Sequence, residues 1–276
     1  MGDLPVPTTP AGRDGLAALL DRPREALVAL DFDGTLAPIV PDPEAARAHP
    51  DAAPALARLA GRIGVLAVIT GRAADVAVRL GGFDRTPGLD GLTVLGGYGA
   101  ERWDAATGKL RKPPPHPGVE ALRSELPDLI ARTAPGAFLE DKGGALAVHT
   151  RRSPDPAGAF SALREPMAAL AERRGLALEP GRFVLELRPP GSDKGAALTG
   201  LVHESGASCV LYAGDDLGDL AAFDAVGRLR GSGVAGLRVC SGSTEVAELA
   251  EHTDLTVDGP AGVVALLAAL ADALDR

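Results

Sequence analysis

Three short stretches constrain this chain most: Ala26–Leu30 (ALVAL), Val65–Ile69 (VLAVI) and the VLYA of ASCVLYAGDD are apolar throughout. A run of about five apolar residues with no alternation reads as a strand buried on both faces. Between them lie segments with apolar residues at helical spacing, such as Leu56, Leu59 and Ala60 in the helix predicted over Ala53–Arg62, with Ile63 just beyond it. A second helix is predicted over Ala73–Leu80, and LTVLGGYGAE suggests a further strand. Buried strands alternating with helices predict a parallel sheet covered on both faces, the α/β class.

The middle of the chain departs from that pattern. After KPPPHPG, read as a linker at Lys112–Gly118, the spacing predicts a helix over Val119–Thr133. A hairpin follows, AFLEDKGGALAVHTR, turned at Gly143-Gly144. A helix over Asp155–Arg174 and a second hairpin, Leu176–Glu179 with Arg182–Leu187 turned at Pro180-Gly181, complete the segment. Two helices and two hairpins predict an inserted α+β domain over 112–187, flanked by a core made of 15–111 and 188–276. The parallel pattern resumes with a helix whose N-cap reads as Ser192, the strand ASCVLYAGDD, a helix at LAAFDAV, short strands at GLRVC and DLTV, and a closing helix, Pro260–Asp275. Residues 1–14, rich in Pro, Gly and Thr, read as frayed.

Composition narrows the function. The chain has 276 residues and a formal net charge of -9, which argues against a broad basic surface for nucleic acid or anionic lipid. Its apolar runs fall short of the ~20 residues a bilayer span requires, and no secretory signal is visible, so a cytoplasmic, soluble protein is expected. Cys209 and Cys240 each sit in an apolar run and read as small core residues.

Four polar segments stand where the pattern puts the C-terminal ends of parallel strands: DFDGT (31–35), TGR (70–72), SDKG (192–195) and GDDLGD (214–219). Ligands of open α/β sheets bind in the crevice beyond those ends. Asp31, Asp33, Asp215 and Asp219 cannot all be ionised together unless a cation offsets their repulsion. Hard oxygen ligands of this kind suit Mg²⁺, which partners phosphate oxygens. Lys194, the Thr70 hydroxyl and amides near Gly34 and Gly71 then form a cradle for a phosphoryl group. A carboxylate screened in this way can attack phosphorus in line, and a second one two residues on lies on the same side of an extended backbone to act as acid and then base.

The four segments resemble, in order, the four motifs of the haloacid dehalogenase superfamily. The resemblance implies a Rossmann-like core, Asp31 as nucleophile, Asp33 as acid/base, and Asp31, Asp33, Asp215, Asp216 and Asp219 as the acidic residues around Mg²⁺. The insertion between the second and third motifs resembles the α/β cap of the subgroup acting on sugar phosphates. Within that subgroup LDFDGTLAPIV-PDPEAA, AVITGR, LEDKGGALAVHTR, LELRPPGSDKGAAL and GDDLGDLAAF are similar to trehalose-6-phosphate phosphatases from about Leu27 to Phe223. This implies that Glu140, Lys142 and Glu186 hold sugar hydroxyls, with His149, Arg151 and Arg188 from the same segments as further candidates and Arg72 beside the phosphate. It also implies a sugar phosphate as the partner molecule and a functional link to a trehalose-phosphate synthase. In the hairpins the charged residues alternate with Leu139, Leu185 and Leu187, which predicts an apolar face on the cap helices and a charged face opposite.

The chain departs from the family where Gly218 and Leu220 replace a Thr and a Glu of the fourth motif, and where Tyr98-Gly99 replaces His-Gly. Tyr98 and Trp103 read as structural. The rival readings are a phosphatase of the same mechanism acting on another sugar or pseudo-disaccharide phosphate, and a non-catalytic sugar-phosphate sensor. A sensor has no need of the nucleophile at Asp31. A phosphomutase would require a dense basic cluster that the cap lacks.

Overall fold

A computed structural model describes residues 4–40, 42–242, 249 and 251–275. The chain divides into two compact units, Met1–Arg111 with Asp193–Arg276, and Lys112–Ser192. The return to the first unit thus falls beyond Ser192 and not at 187/188, because the last strand of the insertion runs Val184–Arg188.

In the first unit the elements are α1 (Pro10–Asp21), β1 (Ala26–Leu30), α2 (Ala52–Ala60), β2 (Val65–Ile69), α3 (Ala74–Gly81), β3 (Leu92–Gly96), β4 (Glu101–Asp104) and β5 (Lys109–Arg111). The second unit holds α4 (Pro117–Thr133), β6 (Phe138–Asp141), β7 (Leu146–His149), α5 (Pro156–Arg174), β8 (Ala177–Gly181) and β9 (Val184–Arg188). The chain then returns with α6 (Lys194–Ser205), β10 (Cys209–Gly214), α7 (Leu220–Gly231), β11 (Ala235–Gly242), β12 (Leu255–Asp258) and α8 (Gly259–Leu274).

The eight strands of the first unit are ordered β12-β11-β10-β1-β2-β3-β4-β5, parallel from β12 to β3, with β4 and β5 antiparallel at one edge. This is the α/β, Rossmann-like core expected, and the alternation within β1 shows how it is built. Ala26, Val28 and Leu30 pack with α2, α3 and α8 side chains on one face, whereas Leu27 and Ala29 pack with α6 and α7 on the other. Both faces being covered, every residue of β1 is buried and the strand carries no polar position. The strand order reverses between β1 and β10, and the crevice at that reversal is where sheets of this kind bind ligands.

The N-terminal segment is not frayed over its described residues. Thr9 caps α1 by accepting the Gly12 amide at 3.0 Å, and Pro10 occupies the first turn. Residues 1–3 of that expectation lie outside the described residues. The N-cap of α6 is Asp193 and not Ser192, its carboxylate accepting the Ala196 amide at 2.7 Å.

The second unit is a four-stranded antiparallel sheet, β6-β7-β9-β8, under α4 and α5. Leu146, Val148, Leu185 and Leu187 are buried against Leu122, Leu126, Leu163 and Met167 of the two helices, with Leu139 packed beside them. The second hairpin pairs Gly181 with Val184, so it turns at Arg182-Phe183 and not at Pro180-Gly181. Phe183 takes a positive φ of 58° in that two-residue turn. Pro180 is tolerated because β8 is an edge strand, where one N–H can be missing.

Candidate active site

Each polar segment begins where a buried strand ends. Asp31 follows β1 directly, and its amide donates to Ala213 O at 2.9 Å, extending the β1–β10 pairing by one bond. The chain then turns sharply. Gly34 N donates to Ala37 O at 2.7 Å with Gly34 at φ +74°, and a Cβ on Gly34 would overlap the Asp215 carboxylate. Only glycine allows both that backbone conformation and that approach. Thr35 donates its hydroxyl to Asp215 Oδ1 at 3.3 Å, and Ser241 donates to Gly34 O at 2.7 Å, tying the ends of β1, β10 and β11 together.

Lys194, the first residue of α6, reaches into this end of the sheet. Its Nζ lies 2.9 Å from Asp31 Oδ1 and 2.7 Å from Asp219 Oδ1, with all three groups buried. Burial opposes the ammonium charge, but Asp219 and Asp31 outweigh it and hold the lysine well above its ordinary range, so it remains a cation.

Asp219 is occupied on both oxygens. Oδ1 accepts from Lys194 and, at 2.6 Å, from the Tyr212 hydroxyl, whereas Oδ2 accepts the amides of Asp215 at 2.9 Å and Asp216 at 3.2 Å. A carboxylate offers about four lone-pair sites, and these donors use them. Burial alone would raise the Asp219 pKa, yet Lys194 and the other donors bring it below the usual carboxylate range.

Asp31 and Asp215 behave oppositely. Burial is the largest cause, with neighbouring carboxylates adding to it and Lys194 opposing it. Together they push Asp31 well above the usual range and Asp215 up to about 10. Asp31, Asp215 and Asp219 each bring a carboxylate oxygen within 4.8 Å of the others. With all three ionised, one lysine would leave two negative charges uncompensated by the chain itself, and a divalent cation on oxygen donors would balance them. The residues therefore fit a hard divalent metal, with Asp31 and Asp215 retaining lone pairs for it.

Two of the carboxylates expected around a metal are engaged elsewhere. Asp33 lies half-exposed and accepts both Arg72 Nε at 2.6 Å and Arg72 Nη2 at 2.7 Å, a bidentate pair. The exposed Asp216 accepts the Gly218 amide at 2.9 Å and caps the short turn 217–219. Neither belongs to the buried group of three. Arg72 packs over the Phe32 ring at 5.8 Å, and its amide donates to the buried Thr70 hydroxyl oxygen at 3.2 Å. The structure thus brings Asp31, Gly34, Lys194, Asp215 and Asp219 together, and joins Arg72 to Asp33 and, through its amide, to Thr70.

In the second unit Lys142 Nζ meets Glu186 Oε2 at 2.5 Å, and His149 Nε2 meets Glu140 Oε2 at 2.7 Å. Arg188 pairs with Glu179 at 3.3 Å, and Arg151 is exposed in the loop after β7. Register places Glu140, Ala147, Glu186 and Glu179 in one row across the sheet, on the face opposite the leucines. The alternation expected of the hairpins is therefore present.

Tyr212 was not singled out from sequence. Its signal is a phenol inside the otherwise apolar β10, three residues before Asp215, which demands a polar partner once buried. Glu101 is the other: it is 6% exposed, and its Oε2 accepts the Ala74 amide at 2.7 Å where the segment after Arg72 enters α3. Cys209 and Cys240 are buried, and burial pushes each thiol up to about 11, as suits inert core residues.

A family model described as trehalose-phosphatase matches residues 29–256. The chain belongs to that family. It is 34% identical to the trehalose-phosphate phosphatase of Mycobacterium avium, an alignment covering 96% of this chain and 66% of the relative. It is 32% identical to the probable trehalose-phosphate phosphatase of Sinorhizobium fredii, with 94% of each covered. The chain therefore spans somewhat less than two thirds of the mycobacterial relative but nearly all of the rhizobial one. The solved C-terminal domain of the Candida albicans trehalose-6-phosphate phosphatase superposes with a TM-score of 0.77 over 98% of this chain and 99% of that one. At 21% identity that likeness is one of fold. Among the described residues no helix is long and apolar enough to cross a membrane.

Proposed function

We propose that this chain is a Mg²⁺-dependent phosphatase that hydrolyses trehalose 6-phosphate to trehalose and phosphate through an aspartyl-phosphate on Asp31. The observation that carries the reading is the buried Asp31 at the end of β1, held 2.9 Å from a lysine that Asp219 fixes from the other side. Family membership supports the sugar phosphate as substrate.

Asp31 attacks phosphorus in line, and the sugar oxygen leaves. Asp33, carrying a proton once a bond to Arg72 is released, gives it to that oxygen and then recovers one from the water that attacks the acyl-phosphate, so each turnover returns Asp31 as the carboxylate and Asp33 as the acid. Lys194, the Thr70 hydroxyl and the backbone near Gly34 and Gly71 receive the phosphoryl oxygens, where charge builds in the transition state. Arg72 orients Asp33 in the resting site by its two bonds. Asp31 and Asp215 would hold Mg²⁺, which when bound screens the nucleophile's charge from that of the phosphate. Glu140, Lys142 and Glu186, with His149, Arg151 and Arg188, are the residues we assign to the sugar. Such an activity would consume the product of a trehalose-phosphate synthase.

The test is phosphate release from trehalose 6-phosphate by the wild type and by Asp31→Asn, with Mg²⁺ and with EDTA. Turnover is expected only from the wild type with Mg²⁺. Turnover by Asp31→Asn, or in chelator, would overturn the mechanism. Preference for a different sugar phosphate would leave the mechanism standing and replace the substrate.

A further inference from the structure

Tyr98 and Phe183 are the non-glycine residues with positive φ among the described residues. Phe183 sits in a two-residue hairpin turn that requires such a conformation. Tyr98 lies between Gly97 and Gly99 after β3, at φ 57° and ψ 31°, where a glycine would serve the backbone without strain. A bulky side chain kept in this region signals a constraint beyond the turn itself.

What Tyr98 touches supplies the constraint. Its amide donates to Thr70 O at 2.9 Å, and the preceding amide, of Gly97, donates to Arg72 O at 2.8 Å. The phenol lies against Gly71 so closely that a Cβ there would come within 2.7 Å of Tyr98 Cζ and Oη. On its other side the turn abuts α6, for a Cβ on Gly99 would come within 2.6 Å of the Ala197 Cβ, one helical turn from Lys194. Glu101 completes the arrangement by accepting the Ala74 amide. The turn 97–101 is thus a mould that holds the segment Thr70–Ala74 by its backbone and abuts the helix that begins at Lys194.

We propose that Tyr98 is a positioning residue: its ring, pressed on Gly71, sets the Thr70–Arg72 segment and through Arg72 the orientation of Asp33. The strain at Tyr98 is the cost of placing a rigid ring there. The catalytic consequence rests on the phosphatase reading given above, whereas the ordering of the segment does not.

The experiment compares Tyr98→Gly and Tyr98→Phe with the wild type in three measurements. Amide hydrogen exchange reads the segment itself: in Tyr98→Gly the amides of Arg72 and Ala74 should exchange faster, with the remaining sheet amides unchanged. Thermal unfolding reads the strain: Tyr98→Gly should melt at the same temperature or higher, because glycine relaxes the left-handed position. Kinetics read the consequence: kcat should fall roughly 10- to 100-fold, as loss of orientation by about 1 Å does. The loss should be equal on p-nitrophenyl phosphate and trehalose 6-phosphate, with KM little changed. Tyr98→Phe, which keeps the ring, should restore all three.

Unchanged exchange at Arg72 and Ala74 in Tyr98→Gly would overturn the proposal. So would a fall in kcat that merely follows a fall in melting temperature, a loss confined to the KM for the sugar phosphate, or a Tyr98→Phe as impaired as Tyr98→Gly. If the wild type released phosphate from no substrate, the phosphatase reading would fail, and exchange would still decide whether Tyr98 positions the segment.

Discussion

Asp31 and Asp219 are both buried, both bonded to Lys194, and pushed in opposite directions. Asp219 is held below the ordinary carboxylate range by its donors, which makes it an anchor for the lysine. Asp31 has the same burial and shares the same lysine, and in the phosphatase we propose it is the nucleophile. Asp31→Asn should keep the fold and abolish turnover, since the amide has nearly the same shape and is a poor nucleophile; phosphate release and circular dichroism check both halves. Asp215 is raised to about 10 by burial and like charge, so ionising it costs the chain stability when no cation is present. Asp215→Asn should therefore raise the melting temperature in chelator, by about 2–4 °C per kcal/mol relieved, while abolishing the rise that Mg²⁺ gives the wild type. Melting curves with and without Mg²⁺ check this, and a lower melting temperature in chelator would contradict it. Asp31, Asp33, Lys194 and Asp215 were legible in the sequence because each follows a buried strand or opens a helix. The engagement of Asp219 was not, since it depends on Tyr212 of β10 and the amides of Asp215 and Asp216, which spacing does not reveal.

At the scale of elements the continuous apolar runs gave the bounds of β1 and β2 and placed β10 inside ASCVLYAGDD, two residues too long at each end, because a strand buried on both faces has no other composition available. The strands β4 and β5 escaped that reading. Lys109, Leu110 and Arg111 are all exposed, so β5 carries no apolar pattern, and only its pairing with β4 makes it a strand. The turn of the second hairpin was misplaced at Pro180-Gly181 since those residues are common in turns, whereas the register needed the positive φ at Phe183. The alternation in β6, β7 and β9 was legible, and it carries the assignment of the sugar residues. Loss of one charged hydrogen bond to a buried sugar should cost ~1.5–3 kcal/mol, about 10- to 150-fold in kcat/KM. Glu186→Ala and Lys142→Ala should lose that much on trehalose 6-phosphate and little on p-nitrophenyl phosphate, which is too small to use these side chains. Equal losses on both substrates would show that the Lys142–Glu186 pair serves the fold.

Across the molecule, Thr8 and Thr9 of the segment that reads as frayed are tied to Asp254. Asp254, with a fully buried side chain, accepts from the Thr9 hydroxyl at 2.6 Å, from the Arg238 amide at 2.8 Å and from Arg230. The Thr8 amide and hydroxyl donate to the Asp254 carbonyl at 2.7 and 2.9 Å. Burial opposes the Asp254 charge, but Arg230, Thr9 and the Arg238 amide outweigh it and hold the carboxyl below its usual range. A carboxylate depressed in the folded state adds stability above its unfolded pKa of about 3.9, and that stability is lost as pH falls toward the folded value. Asp254→Asn should accordingly cost about 3 kcal/mol near pH 7, as breaking a buried ion pair does. Urea unfolding at a series of pH values should show that difference shrinking below about pH 4; a difference independent of pH would contradict the ionic origin. The substrate is decided by kcat/KM for trehalose 6-phosphate against glucose 6-phosphate, sucrose 6-phosphate and glycosyl-glycerate phosphates, with Mg²⁺ present. We expect trehalose 6-phosphate to be preferred by at least about 10-fold, the discrimination that one charged hydrogen bond supplies. Equal turnover across the panel, or preference for another sugar, would contradict the assignment.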